Sequence, residues 1–223
     1  MKSENMRGSQ MLKVIDNAEI FWTQKPIDAS QIKKINNYNI VLPNQTHSDV
    51  IELVSSYTSS SIYADALISP SPDFFIAIKT ADCLPLLVIG DTMVGAIHAG
   101  WKGLSKNIIY KTLEKMDDYG CNIKKIFVGA HICKNCYEVG EEVLKAFPEY
   151  YRNEKFFRKL SWGNYLMDLF EIAKYQIELF NPNIKVEHIN LYTCCNNNLF
   201  YSYRKDKTYK RNLWAIRLIR KEF

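Results

Sequence analysis

At 223 residues with 47% hydrophobic content, the chain is long enough for one domain with a sizeable core. Its polar opening, MKSENMRGSQ, and the lack of any apolar run near the roughly 20 residues of a membrane span exclude a spanning protein and make the cytoplasm the expected compartment. The net charge of +5, from 29 basic against 24 acidic residues, is modest, and without a nucleic-acid motif beside it no nucleic-acid partner is expected.

Residues 1–10 are left outside the fold, because Met6–Ser9 reads as an expression remnant ahead of a second methionine, and residues 11–223 are expected to form a single domain. Residues 11–15 and 18–23 have strand composition with Asp16-Asn17 as their turn, and residues 31–35 form at most a short helix. Residues 39–42 predict a strand that delivers Pro43-Asn44-Gln45-Thr46-His47, and residues 49–55 alternate as the next one. His47 therefore lies in a loop, where side chains carry function more often than packing. Residues 74–78 are a buried strand leading into Thr80-Ala-Asp-Cys83.

Two short apolar runs, 84–89 and 93–98, flank Gly90-Asp91 and predict a buried hairpin. With Gly90 and Asp91 as the loop, Cys83 falls opposite His98, and directly opposed residues have Cβ atoms about 4.5–5.5 Å apart. That spacing suits a shared metal ion, a nucleophile and its base, or simply a small buried cysteine beside a core histidine. Asp82 next to the cysteine and Gly100 and Gly103 around Trp101-Lys102 gather polar groups and close-approach backbone at one end of the hairpin.

Leu104, Ile108, Ile109, Leu113 and Met116 recur at helical spacing up to Gly120, and residues 123–128 return as a strand. Residues 139–147 read as a helix stopped by Pro148, and a long amphipathic helix over 166–180 ends at Asn181-Pro182. Residues 186–192 and 213–219 are closing strands. Mixed rather than alternating strands and helices predict a mixed α/β sandwich.

Six cysteines without a secretory signal argue for reduced thiols. Cys133 and Cys136 have C-x-x-C spacing, but adjacent Cys194 and Cys195 do not match the usual paired knuckles, so no structural metal is expected there. The tail carries Arg204, Lys205, Lys207, Lys210, Arg211, Arg217, Arg220 and Lys221, read as a solvated edge plus one or two anion-binding arginines.

TADCLPLLV followed by HAGWKG resembles the YfiH family, also called the laccase-domain or multicopper polyphenol oxidase family, which includes purine nucleoside phosphorylases and the peptidoglycan editing factor PgeF. NQTHSDV at 44–50, YADALIS at 63–69, CYEVGEEV at 136–143 and FYSYRKD at 200–206 continue the match in order. The resemblance implies packed mixed sheets flanked by helices, a fold shared with cytotoxic necrotizing factor-like cysteine hydrolases. It also implies that His47, Cys83 and His98 bind a metal, zinc ahead of copper, with one position open for catalysis. Implied substrates are a purine nucleoside and phosphate, for phosphorolysis and for deamination of adenosine. Arg204, with Lys102 and Arg211 behind it, is the candidate phosphate site, and Asp82 either moves protons or orients a ligand.

Four departures stand out: the family's N-terminal Gly-Gly-Val-Ser loop is missing, Cys133-Lys134 stands for the usual Gly-Pro, Lys102 stands where arginine is common, and Lys210 replaces a glycine. The alternatives are an amidase that edits peptidoglycan precursors, a copper polyphenol oxidase and a non-enzymatic binding module. With four histidines the chain has few ligands for several coppers.

Overall fold

The computed structural model describes residues 5–7 and 9–219. Residues 1–4 and 8, together with Arg220 and Lys221 of the basic tail, lie outside the described residues, but Asn5–Arg7 pairs antiparallel with Gln10–Leu12. Ordered pairing thus starts ahead of Met11.

Apolar runs too continuous for a one-faced strand explain the architecture, because each such run is covered on both sides. In Leu84–Gly90, Leu84, Leu86 and Val88 face a helical layer, while Leu87 and Ile89 face a second sheet. The sheet that holds this strand has six, in the order Lys185–His188, Ile123–Val128, Leu84–Gly90, Val94–Ala99, Ala66–Ser69 and Ile51–Leu53. The other sheet has seven, with Asn212–Leu218 inserted between Ala18–Thr23 and Phe74–Thr80. Trp22, Ile76, Ile78, Trp214 and Ile216 from one sheet meet Leu67, Leu87, Val94 and Phe127 from the other. Helices Ile108–Asp118 and Leu169–Phe180 cover the outer face of the six-stranded sheet through Ile109, Leu113, Ile172 and Ile177. The result is the mixed α/β sandwich expected from the pattern.

Several expected elements are revised. In place of a helix over 31–35 there is a 3-10 turn at Ala29–Gln31 followed by a two-residue strand, Lys34–Ile35. The helix expected from Leu104 is two helices, Trp101–Ser105 and Ile108–Asp118, because Asn107 adopts left-handed backbone with φ of 59° and breaks the ladder. The helix over 139–147 is shorter, Glu141–Ala146, with Glu138–Val139 drawn into a small third sheet by Tyr165–Met167. The long helix starts at Leu169, where Asp168 accepts hydrogen bonds from the Phe170 and Glu171 amides as its N-cap.

The hairpin register also differs from expectation. Gly90 N donates to Met93 O at 2.9 Å, so Asp91-Thr92 form the loop, and His98 pairs with Pro85 and Ala99 with Leu84. Gly90 is a strand residue that is glycine for another reason: a Cβ there would lie 2.1 Å from Cys121 Sγ. A partner shift of two preserves the face on which each side chain stands, so Cys83 and His98 remain on one side.

Candidate metal centre

Three segments meet at the end of the hairpin. His98 closes the strand Val94–Ala99, Cys83 precedes Leu84–Gly90, and His47 sits in the loop after Tyr38–Val41. Their donor atoms lie within 4.8 Å of one another, Cys83 Sγ is 3.8 Å from His47 Nε2, and the two imidazole centroids are 4.8 Å apart. Bonds of about 2.3 Å to sulfur and 2.0 Å to nitrogen in a tetrahedron put sulfur and nitrogen about 3.5 Å apart. The set of two imidazoles and one thiolate therefore fits a zinc-class cation with small adjustments and leaves a fourth position open. His98 is buried, Cys83 partly exposed and His47 exposed, so the site faces solvent from the His47 side.

Asp65 holds this arrangement together. Its carboxylate is fully buried and accepts His98 Nδ1 at 2.7 Å, the His47 amide at 3.1 Å, the Thr46 amide at 3.2 Å, and the Ser48 amide and hydroxyl at 2.6 Å each. Nδ1 of His98 thus carries a proton toward Asp65, and Nε2 is left to face the other donors. The same carboxylate supports His47 in left-handed backbone, φ 59°, a conformation that costs a non-glycine residue about 1–2 kcal/mol. Burial alone would push the Asp65 carboxyl up, but hydrogen bonds from His98 and Ser48 hold it well below the usual carboxylate range. Reading the sequence missed Asp65. Its signal was a lone acid in the otherwise apolar Ala64-Asp-Ala-Leu-Ile68.

Cys83 and His98 polarise each other. Burial would raise the thiol, yet the His98 charge and a hydrogen bond with His47 bring it down to about 6. Burial would lower His98, yet the Cys83 charge and the Asp65 hydrogen bond lift it to about 9. In metal-free protein, Cys83 should therefore react with iodoacetamide at a rate that stays high as pH falls from 8 and drops only through about 6. Peptide mapping of the alkylated protein checks this, and a drop already near the ordinary thiol value of about 8.5 would contradict it.

Asp82 has both oxygens engaged: Oδ1 accepts the Thr193 hydroxyl at 2.5 Å and Oδ2 accepts the Arg204 amide at 2.6 Å. Its φ of 100° lies in left-handed space, strain that these contacts and Ile132 N donating to Asp82 O hold in place. Arg204 is thereby held by its backbone at Asp82, the neighbour of Cys83, from 122 residues away. Its Nη2 donates to Glu138 O at 2.9 Å and its guanidinium lies 5.4 Å from the Tyr137 ring centroid. The Tyr137 hydroxyl is pushed up, by burial first and then by the charge of Cys83. Lys102 is exposed and stands over Trp101, while Arg211 holds its own loop through the Thr208 and Lys210 carbonyls. Among the described residues no hydrogen bond joins either one to the cluster.

The family model described as "Multi-copper polyphenol oxidoreductase laccase" matches residues 14–219. The chain belongs to this family. A purine nucleoside phosphorylase of Aquifex aeolicus is 35% identical over 182 residues, 79% of this chain and 82% of that protein. Purine nucleoside phosphorylase YfiH of Escherichia coli is 34% identical over 181 residues, 78% of this chain and 72% of that one. YlmD from Geobacillus stearothermophilus superimposes with a TM-score of 0.82 at 19% identity, over 97% of this chain and 98% of that one. The laccase-domain fold is thus shared across nearly the whole chain.

Within this laccase domain the four histidines pair off, His47 with His98 and His131 with His188. The second pair packs with Phe170 and Tyr192. Burial holds His131 down to about 3, the state of a neutral core histidine. A cleft of about 510 Å³ lined by Lys134, Lys155, Arg158, Asp168 and Glu171 contains none of the donor residues. Lys134 stands 3.9 Å from Asp168 and Lys155 3.9 Å from Glu171 there, which makes it a charged surface hollow.

Gly100 lies directly beyond the Leu84–Ala99 pair, opposite Cys83. A Cβ at this position would sit 3.2 Å from Cys83 Sγ and 3.0 Å from His47 Cδ2. Its φ of −78° is open to any residue, so Gly100→Ala tests space alone. Gly100→Ala should keep its thermal midpoint within a few degrees and bind zinc at least about tenfold more weakly in a chelator competition, as misplaced ligands do. Unchanged affinity would mean that the donors do not close over this position.

Proposed function

We propose that the chain is a zinc-dependent purine nucleoside enzyme that cleaves inosine and adenosine with phosphate and deaminates adenosine, all at the His47, Cys83 and His98 site. The observation that supports this reading is the Asp82 clamp, which holds the Arg204 backbone against the residue that precedes Cys83. Relatives named purine nucleoside phosphorylase, more than 30% identical over three quarters of the chain, support the reaction class.

In phosphorolysis a phosphate oxygen bonds to C1′ of the ribose as the C1′–N9 bond breaks, and the purine leaves with a proton. In deamination water replaces the amine at C6 and ammonia leaves. When bound, the metal supplies a Lewis acid with an open position. Asp65 keeps His98 in one tautomer and aims it. Arg204 uses one donor on the Glu138 carbonyl and presents the rest of its fork to an anion. With both oxygens occupied, Asp82 acts as a positioning residue and not as a proton carrier.

Chromatography of hypoxanthine, ribose 1-phosphate and inosine formed from inosine plus phosphate and from adenosine tests the proposal. Zinc-loaded protein should form all three. Protein that forms none of them, while cleaving a peptidoglycan precursor peptide with a misincorporated serine, overturns it in favour of the editing amidase. Phenol oxidation by copper-loaded protein with no nucleoside cleavage would favour the oxidase.

Arg204→Ala should raise the KM for phosphate about thirtyfold, a loss of about 2 kcal/mol for a charge-assisted contact, with zinc content unchanged. Steady-state kinetics against phosphate measures it. An unaltered phosphate KM would move the anion site to Lys102 or Arg211.

A further inference from the structure

Three cysteines that the sequence treats as separate thiols converge. Cys133 Sγ lies 3.3 Å from Cys195 Sγ, Cys136 Sγ lies 3.8 Å from it, and the three sulfurs are within 4.8 Å of one another. Two pairings bring the segments together: Ile123–Val128 runs parallel to Lys185–His188, and His131 bridges Tyr192 beyond their ends. Each half is preshaped. Cys133 and Cys136 flank a 3-10 turn closed by Cys136 N donating to Cys133 O at 3.0 Å. Around Cys194 and Cys195, Asn196 N donates to Tyr192 O at 2.7 Å and Asn196 Oδ1 accepts the Tyr192 amide at 2.8 Å.

These separations have a chemical meaning. A disulfide needs sulfurs about 2.0 Å apart, and all six cysteines of the chain are free. A tetrahedral zinc thiolate with bonds of about 2.3 Å has sulfurs about 3.8 Å apart. The observed 3.3 and 3.8 Å are the spacing of thiols gathered where such an ion fits. Cys194 lies outside this group of three sulfurs but is next in the chain to Cys195, which makes it the candidate fourth ligand. The mismatch of adjacent cysteines with ordinary zinc knuckles concerns spacing within one loop, whereas here two ligands come from a C-x-x-C turn and the rest from a distant loop.

We propose that Cys133, Cys136 and Cys195, with Cys194 as the fourth ligand, bind a second divalent metal of the zinc class, and that its role is structural. The two loops it joins are those that grip Asp82. From the first, Ile132 N donates to Asp82 O at 2.9 Å and Glu138 O accepts Arg204 Nη2; from the second, Thr193 donates its hydroxyl to Asp82 Oδ1. Thr193 N also donates to His131 O at 2.9 Å, directly between the two cysteine pairs. The metal therefore fastens the frame that sets Asp82, and through it the neighbouring Cys83 and Arg204.

The test uses the full chain, reduced, with Cys83→Ala to disable the first site. This variant should bind about one equivalent of zinc, and on loading with cobalt it should show thiolate-to-cobalt charge-transfer absorption. Adding Cys133→Ser and Cys195→Ser should abolish both, and chelation of Cys83→Ala should lower its thermal midpoint. Cys83→Ala protein that melts in a single transition but holds no zinc and gives no cobalt spectrum overturns the proposal. So does retention of the zinc equivalent in the triple variant. Isolation of unreduced protein with a Cys133–Cys195 cross-linked peptide that zinc does not prevent would overturn it too, as the cluster would then be a disulfide pair.

Discussion

Cys83→Ala should lose one equivalent of zinc per chain and at least about a thousandfold of the inosine phosphorolysis rate. A Lewis acid contributes several kcal/mol to the stability of a charged transition state, and each 1.36 kcal/mol is a factor of ten in rate. Cys83 is the only sulfur of its cluster, 3.8 Å from His47 Nε2 and beside His98. His47→Ala and His98→Ala should lose the same equivalent. Elemental analysis and product chromatography on the same preparations check both halves of the expectation. A Cys83→Ala protein with full metal and full rate would remove the triad from the chemistry altogether.

Asp65→Asn should weaken zinc binding about 10–100-fold and destabilise the fold by about 2–4 kcal/mol. The substitution preserves shape but replaces one acceptor by an NH2 group. Turned toward Ser48 and Thr46, that group opposes amide and hydroxyl donors now held at 2.6 to 3.2 Å. Turned toward His98, it makes Nδ1 an acceptor and moves the imidazole proton to Nε2, the nitrogen that faces the other two donors. Either orientation leaves a buried group without its partner. Denaturant unfolding of metal-free protein reads the stability loss and chelator competition reads the affinity loss. Unchanged affinity alongside lower stability would make Asp65 a purely structural residue.

How much of this was legible before folding differs from residue to residue. Alternation and length identified most strands, because a run such as 84–89, apolar at every position, is what a strand covered on both faces requires. The donor types were visible too: a histidine in a loop, a cysteine ahead of a buried strand and a histidine at the end of its partner place metal-binding chemistry at one end of a sheet. The residue pattern around them also identified the laccase-domain family, which the match over residues 14–219 bears out.

Other features exist only through long-range packing. Gly90 resembles a turn residue, but Cys121, 31 residues on, requires glycine there, and the hairpin closes at Asp91-Thr92 instead. Asp65 shows in the sequence only as a lone acid in an apolar run, since the hydrogen-bond donors to its carboxylate come from two other segments and a buried charge acquires meaning only from what surrounds it. Arg204 is held at Asp82 through a backbone amide, a group that nearly every residue possesses and no motif marks. The four cysteines look unsuited to one ion until the parallel pairing of Ile123–Val128 with Lys185–His188 brings their loops side by side. Residue type and periodicity are local properties that a sequence states directly; register, buried charge pairing and the meeting of distant loops depend on which surfaces pack together, and only the tertiary structure decides that.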